Sequence, residues 1–369
     1  MKIKGETKPL LLSPGVFFAI LAVSLMGFDF LDHPVDAARL CGASGYWAVV
    51  CAFILAALPL ILLAGAMQRR FPNQNLLAAA RQVLGRSAAL VGNLIFLGTF
   101  AAWLAFAIRD SADFVLTYLL NRTPLWAVIV AFILGVGYVA LNGLIPASRL
   151  ASFVLIPTLA ARFAMQLFAL QGLEVTHIMP IFSAPPIAYL RGGMALASLF
   201  LPLATILLVH PLLTKPEKMK PVALGAASVA LASFFLGSIG TIGIFGASFA
   251  QHFIWSELAQ MQHIYLVFEQ AGLVFVVIWL TMFCTATSLF LSVVARGLVQ
   301  QFAGLNYRWT ALGLAIAVGA ASLAFPSAAY AHEAFTLMRR WAIVPAAGYP
   351  LLVFCIALLR GKKGNALAA

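Results

Sequence analysis

Ten stretches of this chain are dominated by apolar residues, and short polar or basic connections separate them. A helix needs about 20 residues to cross a hydrocarbon core of about 30 Å, because each residue advances it by about 1.5 Å. The stretches cover residues 14–31, 45–67, 87–120, 124–141, 151–170, 192–213, 222–250, 271–295, 309–326 and 341–359. This pattern predicts an all-α integral membrane protein with ten transmembrane helices, numbered below as spans one to ten.

The composition excludes an ordinary soluble protein. Hydrophobic residues make up 63% of the chain and charged residues 9%, whereas soluble domains carry about 25% charged residues. Apolar residues are spread along the whole length, so residues 1–369 are expected to form a single transmembrane domain. The net charge of +12 arises from scattered Lys and Arg in the connections, a distribution typical of membrane topology and not of nucleic-acid binding.

The basic residues also predict an orientation. With a cytoplasmic N-terminus, sixteen of the 23 Lys and Arg fall on the cytoplasmic side and five outside. The positive-inside rule therefore places both termini in the cytoplasm. Between spans, residues 68–86 are expected to contain a short interfacial helix with Leu76, Leu77, Ala80 and Leu84 on one face. Residues 251–270 are expected to fold over the outer mouth.

The first span of each half contains residues that interrupt a regular helix. Span one runs through Gly27 and Asp29 to Pro34, and Pro202 stands in the middle of span six. Interrupted helices at corresponding positions of two halves indicate an inverted-repeat transporter, with repeats at about 14–170 and 192–359. The alternative is two simple kinks.

Several short motifs occur in an order typical of a known family. They are residues 27–34, 42–47, Arg70-Phe71-Pro72, Leu84-Gly85, Thr123-Pro124, 143–149, Pro157, Met179-Pro180, Pro202, Phe268-Glu269 and Trp279. Through them the chain resembles the B subunit of spore germinant receptors, the spore germination permease branch of the amino acid/polyamine/organocation superfamily. The resemblance implies a LeuT-like 5+5 inverted repeat with broken spans one and six.

The resemblance also implies a function. Such a protein is a ligand-binding subunit that senses a small amino acid or amine beside a germinant receptor A subunit and a lipoprotein C subunit. Its expected location is the spore inner membrane or the bacterial cytoplasmic membrane. The alternative is an autonomous amino acid or amine permease working by alternating access, and a third hypothesis is a purely structural membrane partner. The implied substrate-binding residues lie at the two breaks, at Gly27, Phe28 and Asp29 and at Leu199, Phe200, Leu201 and Pro202.

Ionisable residues inside spans are costly and therefore indicate function. Arg109 and Asp113 are spaced to pair on one helical face of span three, either structurally or as part of an outer gate. Arg162 in span five is a candidate internal cation, in place of a coupling ion, against Thr285 and Ser288 of span eight. The alternatives are that Arg162 pairs with a distant acid or reaches an interface, and that the hydroxyls bond to their own helix.

Asp29 stands where the family resemblance leads one to expect a small neutral residue. A carboxylate at that place favours an amine-bearing ligand, or else it neutralises an internal base such as Arg162 or caps a helix. His210, which precedes Pro211, reads as a helix-end histidine more than as a ligand. The sequence shows no nucleophile–base pair, P-loop or HExxH motif, so neither an enzyme nor a cofactor is expected.

Overall fold

The structure is a computed structural model and describes residues 11–28, 31–264 and 271–364. These residues form helices joined by turns. The α-helices are α1 Pro14–Gly27, α2 His33–Cys41, α3 Tyr46–Ala52, α4 Leu58–Arg70, α5 Leu76–Leu84, α6 Arg86–Tyr118, α7 Leu125–Leu141, α8 Leu144–Ala169, α9 Pro186–Ala195, α10 Ile206–Val209, α11 Met219–Phe245, α12 Ala247–Ala250, α13 Ser256–Gln262, α14 Ala271–Gln301, α15 Tyr307–Leu323, α16 Ala328–Ile343 and α17 Tyr349–Leu359.

Span one is interrupted where the sequence predicts it. Helix α1 stops at Gly27, and α2 starts at His33 with a proline in its first turn. Leu31, between the two helices, has a φ of 62°, a left-handed conformation that a branched side chain disfavours. Residues 14–27 and 33–41 therefore form two helices and not one continuous helix.

Span six changes helix type instead of unwinding. Regular α-helix ends with Ala195 and resumes at Ile206, and the ten residues Leu196–Thr205 between them form a 3₁₀-helix that contains Pro202. Stretches of 3₁₀-helix longer than three or four residues are uncommon and often mark functional positions. This segment packs against α1, so the two irregular stretches are neighbours.

Both ends of the described chain lie at the same end of the bundle. The amide of Leu12 donates to Leu212 O at 2.7 Å, and the amide of Gly364 donates to Arg70 O at 3.0 Å. Helix α5, the predicted interfacial helix, is capped by Asn75 and lies there too, because Arg360 donates to Val83 O. We call this the terminal end and the other the distal end.

The helices suit a membrane. Within the described residues, seven helical stretches are long and apolar enough to cross one by length and composition: Tyr46–Arg70, Arg86–Tyr118, Leu144–Gly172, Pro186–Leu212, Pro216–Phe245, Ala271–Gln301 and Ala328–Leu359. Pro14–Gly27 and Leu125–Leu141 are shorter apolar helices. The count of ten spans and the division into two repeats stay predictions. Helix α1 is buried on all faces from Ala19 to Gly27, because α8, α11 and α14 surround it.

One expected span boundary is corrected, and one connection between spans is more buried than a surface loop. Span ten was expected to begin at residue 341, but the helix begins at Ala328, so Arg339 and Arg340 lie within it and not in a loop. The described part of residues 251–270 does not simply cover the mouth. It forms α13, most of which is buried, with Ser256, Glu257 and Gln260 inside the protein.

Candidate binding site and its buried ion pairs

The break in span one is held from outside by α13. The amide of Glu257 donates to Leu31 O at 3.0 Å, and the Ser256 hydroxyl donates to the same oxygen at 3.3 Å. A carbonyl released by the interruption of a helix is thereby satisfied, as burial requires. Asp29, the residue predicted to contact ligand, lies outside the described residues, as does the Phe268-Glu269 motif.

The other residues predicted at the site of span one face span eight. A Cβ on Gly27 would lie 2.6 Å from Met282 O, so only glycine allows α1 to approach α14 this closely. The ring of Phe28 packs edge-on against Phe290, with centroids 4.7 Å apart, and against Phe283. Gly27 and Phe28 therefore fix the position of the break against span eight.

The predicted residues of span six lie on the other side of the break. Leu199, Phe200, Leu201 and Pro202 are all buried in the 3₁₀ segment. Phe200 packs between Phe53 and Phe234, with centroid distances of 5.7 and 5.8 Å. Helices α1 and α2 on either side of the break pack against this segment, whereas the rings of Phe28 and Phe200 have different aromatic neighbours.

Arg162 is the centre of a buried polar cluster beside the break. Its Nη2 donates to Glu257 Oε2 at 2.9 Å, and its Nε donates to the Ser233 hydroxyl at 2.6 Å. The side chain of Arg162 is 1% exposed and that of Glu257 is 0% exposed. Gln166, one turn along α8, donates to Ser233 O at 3.0 Å. An ion pair so fully removed from water needs each of these hydrogen bonds to offset its desolvation.

The partners expected for Arg162 on span eight are thereby corrected. The hydroxyl of Thr285 donates to Thr281 O at 2.7 Å, and that of Ser288 donates to Cys284 O at 2.8 Å. Both groups bond to the carbonyl four residues earlier in their own helix, which is the common arrangement of Ser and Thr in membrane helices. Arg162 pairs instead with a distant acid, the alternative that the sequence left open.

Glu257 was missed because it lies in a loop between spans. Its side chain enters the protein at Gly237 of α11, where a Cβ would overlap Glu257 Oε1. One turn further along α11, a Cβ on Gly240 would overlap the amide of Gln260. The spacing of three residues in α11 matches that of Glu257 and Gln260 in α13. These equal spacings are the feature of the sequence from which the contact between α11 and α13 could have been inferred.

His33 links this cluster to α2. Its Nε2 lies 3.0 Å from Phe234 O and 3.9 Å from Glu257 Oε1. The cluster therefore joins spans one, five and seven to α13. Among the described residues, no group of three or more His, Cys, Asp or Glu could hold a metal ion.

A second set of ion pairs lies toward the distal end. Arg339 of α16 donates two hydrogen bonds to the carboxylate of Asp32, at the start of α2: Nη1 to Oδ1 at 2.7 Å and Nη2 to Oδ2 at 2.6 Å. This contact joins spans one and ten and was also missed, since Arg339 was placed in a loop. A polar cavity of about 350 Å³ reaches Asp32 and Arg339 from one side. Between His33, Ser198 and Arg339 the free space falls to about 10 Å³.

Arg109 and Asp113 form the pair expected from their spacing. Arg109 Nε donates to Asp113 Oδ2 at 2.8 Å, and Nη1 donates to Phe325 O at 2.7 Å. Because both partners belong to α6, their salt bridge by itself joins no two spans, and it fits the structural reading of the motif. Asp110 lies 3.2 Å from His332 of α16.

Solved transporters share this architecture. The structure matches MhsT in complex with L-phenylalanine with a TM-score of 0.74 and 13% identity, over 96% of this chain and 90% of that one. It matches Mhp1, a nucleobase-cation-symport-1 family transporter in a closed conformation with bromovinylhydantoin bound, with a TM-score of 0.67 and 16% identity, over 97% and 81% of the two chains. The chain thus has the LeuT-like transporter fold.

Sequence comparison narrows this class to a family. The chain belongs to the spore germination protein family, whose sequence model matches residues 11–327. It is 25% identical to spore germination protein YndE of Bacillus subtilis over 244 residues, which is 64% of this chain and 66% of YndE. It is 22% identical to spore germination protein A2 of the same organism over 315 residues, 84% of this chain and 86% of A2. Family and fold together point to a membrane transporter or receptor.

Proposed function

We propose that this protein is the ligand-binding subunit of a spore germinant receptor and that it binds a small amino acid or amine between the breaks of spans one and six. One observation carries the proposal: helices α1 and α2, which flank the break of span one, both pack against the 3₁₀ segment of span six, beside the buried Arg162–Glu257 pair. Irregular backbone and buried charge at this depth are costly unless they serve a site. A purely structural partner would have no need of them.

The proposed ligand carries an amine. The acids on the two sides of the break, Asp32 and Glu257, already hold Arg339 and Arg162. We assign the ligand ammonium to the remaining acid in the sequence of this segment, Asp29. Gly27, Phe28 and the stretch from Leu199 to Pro202 complete the proposed pocket. MhsT, which shares the fold, was solved with L-phenylalanine, a ligand of this chemical class.

Access from the distal end is proposed to depend on Asp32 and Arg339. Arg339 lines both a cavity of about 350 Å³, which Asp32 also lines, and a space of about 10 Å³ next to span six. Breaking their contact would release α16 from α2 and open the route. Arg109 contributes by holding the turn after α15 through Phe325 O. The outer-gate role expected for Arg109 and Asp113 is in this view a supporting one.

The proposed setting follows from the family and the charge distribution. We place the protein in the spore inner membrane or the bacterial cytoplasmic membrane with both termini in the cytoplasm, so the distal end faces outward. Its partners would be a germinant receptor A subunit and a lipoprotein C subunit. The second candidate function is an autonomous permease, which the match to complete transporters favours.

Two measurements on the purified full-length protein test the proposal. A thermal-shift screen of amino acids and amines should identify a ligand, since binding to the native state raises the apparent stability by RT ln(1 + [L]/Kd). Uptake of that ligand, radiolabelled, into proteoliposomes then separates the two functions. Binding without uptake supports the receptor subunit, and concentrative or exchange uptake supports the permease. If no amine or amino acid shifts the unfolding temperature, the proposed ligand class is wrong.

A further inference from the structure

A pocket with charged lining residues at the terminal end lies outside the proposed ligand site. It has a volume of about 420 Å³ and is formed by the end of α4, the end of span six and the start of α11. Its charged lining residues are Arg69, Lys220 and Glu217. Within the described part of the chain, neither Arg69 nor Lys220 forms an ion pair, so the pocket keeps an excess of one positive charge.

A buried histidine lines this pocket. His210 lines it and is 2% exposed. Among the described residues, no group forms a hydrogen bond with His210 Nδ1. Buried polar groups normally have a partner, because an unsatisfied one costs about 1–3 kcal/mol. A phosphate in the pocket would lie beside this histidine and offset the excess positive charge that Arg69 and Lys220 leave over Glu217.

The position of the Lys220 side chain is fixed by its packing against α4. Its side chain lies over Gly65 of α4, where a Cβ would overlap Lys220 Cε. The glycine therefore gives the lysine stem a place against α4 and carries the ammonium toward the pocket. Gln68 fixes the neighbouring wall by donating to Pro216 O at 2.7 Å.

The pocket continues into an apolar surface. Leu62, one turn before Gly65 on α4, is 61% exposed, and Leu224, one turn after Lys220 on α11, is 42% exposed. Both helices are long and apolar enough to span a membrane, so these leucines lie where acyl chains would run. Basic pockets at the ends of transmembrane helices bind anionic lipid headgroups.

We infer that this pocket, formed by His210, Arg69 and Lys220, binds the phosphate of an anionic phospholipid whose acyl chains lie along Leu62 and Leu224. The lipid bridges α4, span six and α11 at the terminal end. The site is separate from the proposed ligand site and does not depend on the proposed function.

Thermal unfolding of the delipidated full-length protein in detergent tests this inference. Phosphatidylglycerol should raise the unfolding temperature in a saturable way, and phosphatidylcholine should not. Lys220→Gln should raise the half-saturating concentration of phosphatidylglycerol about fivefold, which is the effect expected for the loss of one interfacial charge. Lys218→Gln is the matched control, because Lys218 is an exposed lysine two residues away that does not line the pocket. It should behave as wild type.

A second variant keeps every charge. Gly65→Ala displaces the Lys220 side chain and should also weaken the binding of phosphatidylglycerol. This variant tests the site even if Lys220→Gln folds poorly. Inorganic phosphate and glycerol phosphate distinguish the sources of the anion. If they stabilise as well as phosphatidylglycerol at equal concentration, the occupant is a soluble phosphate and the lipid assignment is overturned. Equal effects of the two lipids, or a normal response of both variants, would overturn the site itself.

Discussion

Replacing Glu257 by Gln tests an ion pair whose two side chains are fully buried. The change keeps the size of the side chain but removes the carboxylate charge that lies 2.9 Å from the guanidinium of Arg162. Both side chains are essentially removed from solvent, so screening by water or salt does little to reduce the effect. Removing one partner of such a pair typically destabilises a protein by about 3–5 kcal/mol. We expect Glu257→Gln to lower the free energy of unfolding by that amount.

The assay is reversible unfolding in mixed micelles, with a double-mutant cycle. In the variant Arg162→Met/Glu257→Gln both charges of the pair are removed, so the double variant should lose clearly less stability than the two single variants together, with a coupling of about 1–3 kcal/mol. Glu174→Gln is the matched control, because that carboxylate is 67% exposed, and it should change stability by no more than about 0.5 kcal/mol.

Hydrogen exchange gives a second readout. Because α13 holds the break of span one through Leu31 O, amides of residues 256–262 should exchange faster in Glu257→Gln, while those of α5 at the terminal end should not. A loss of less than about 1 kcal/mol in Glu257→Gln, or strictly additive single effects, would show that the pair does not hold α13 as the geometry indicates.

Three further predictions concern topology, ligand and gate. A cysteine introduced at Lys218, in a chain without its native cysteines, should react with an impermeant label only from the cytoplasmic side; labelling from outside would refute the orientation. Asp29→Asn should weaken binding of amine ligands about tenfold or more at neutral pH, and unchanged affinity between pH 5 and 8 would exclude direct contact. Arg339→Lys keeps the charge but loses the two-pronged contact with Asp32, so bound ligand should dissociate about fivefold faster in stopped-flow measurements. An unchanged rate would remove this pair from the gate.

The sequence predicts features that depend on local chemistry. The apolar stretches, the interruption after Gly27, the irregular helix around Pro202 and the i, i+4 pair of Arg109 and Asp113 all follow from near neighbours in the chain. Helix formation, proline geometry and side-chain spacing are decided within a few residues. Family resemblance gave the fold class, which the comparisons confirm.

The long-range pairs could not be derived in this way. A buried Arg162 must have a countercharge, but hydropathy does not say which of the 11 acids provides it. Glu257 is 95 residues away in a polar loop, and polar loops are normally assigned to the surface. Asp32 and Arg339 are separated by 307 residues, and Arg339 stands just before an apolar stretch that seemed to begin at residue 341. The helix in fact extends further, because Ser327 caps it at Tyr330.

Gly237 and Gly240 of α11 leave the space that the side chains of Glu257 and Gln260 of α13 occupy, so these two distant parts of the sequence constrain each other. Any larger residue at either position would meet Glu257 or Gln260 and prevent α13 from seating. In related sequences the two positions of α11 and the two positions of α13 should therefore change together, with a side chain gained on one side only where one is shortened on the other. A relative with alanine or a larger residue at the first position and glutamate at its counterpart, yet fully active in germination, would contradict this. The two glycines of α11 therefore constrain which side chains α13 can carry at positions 257 and 260.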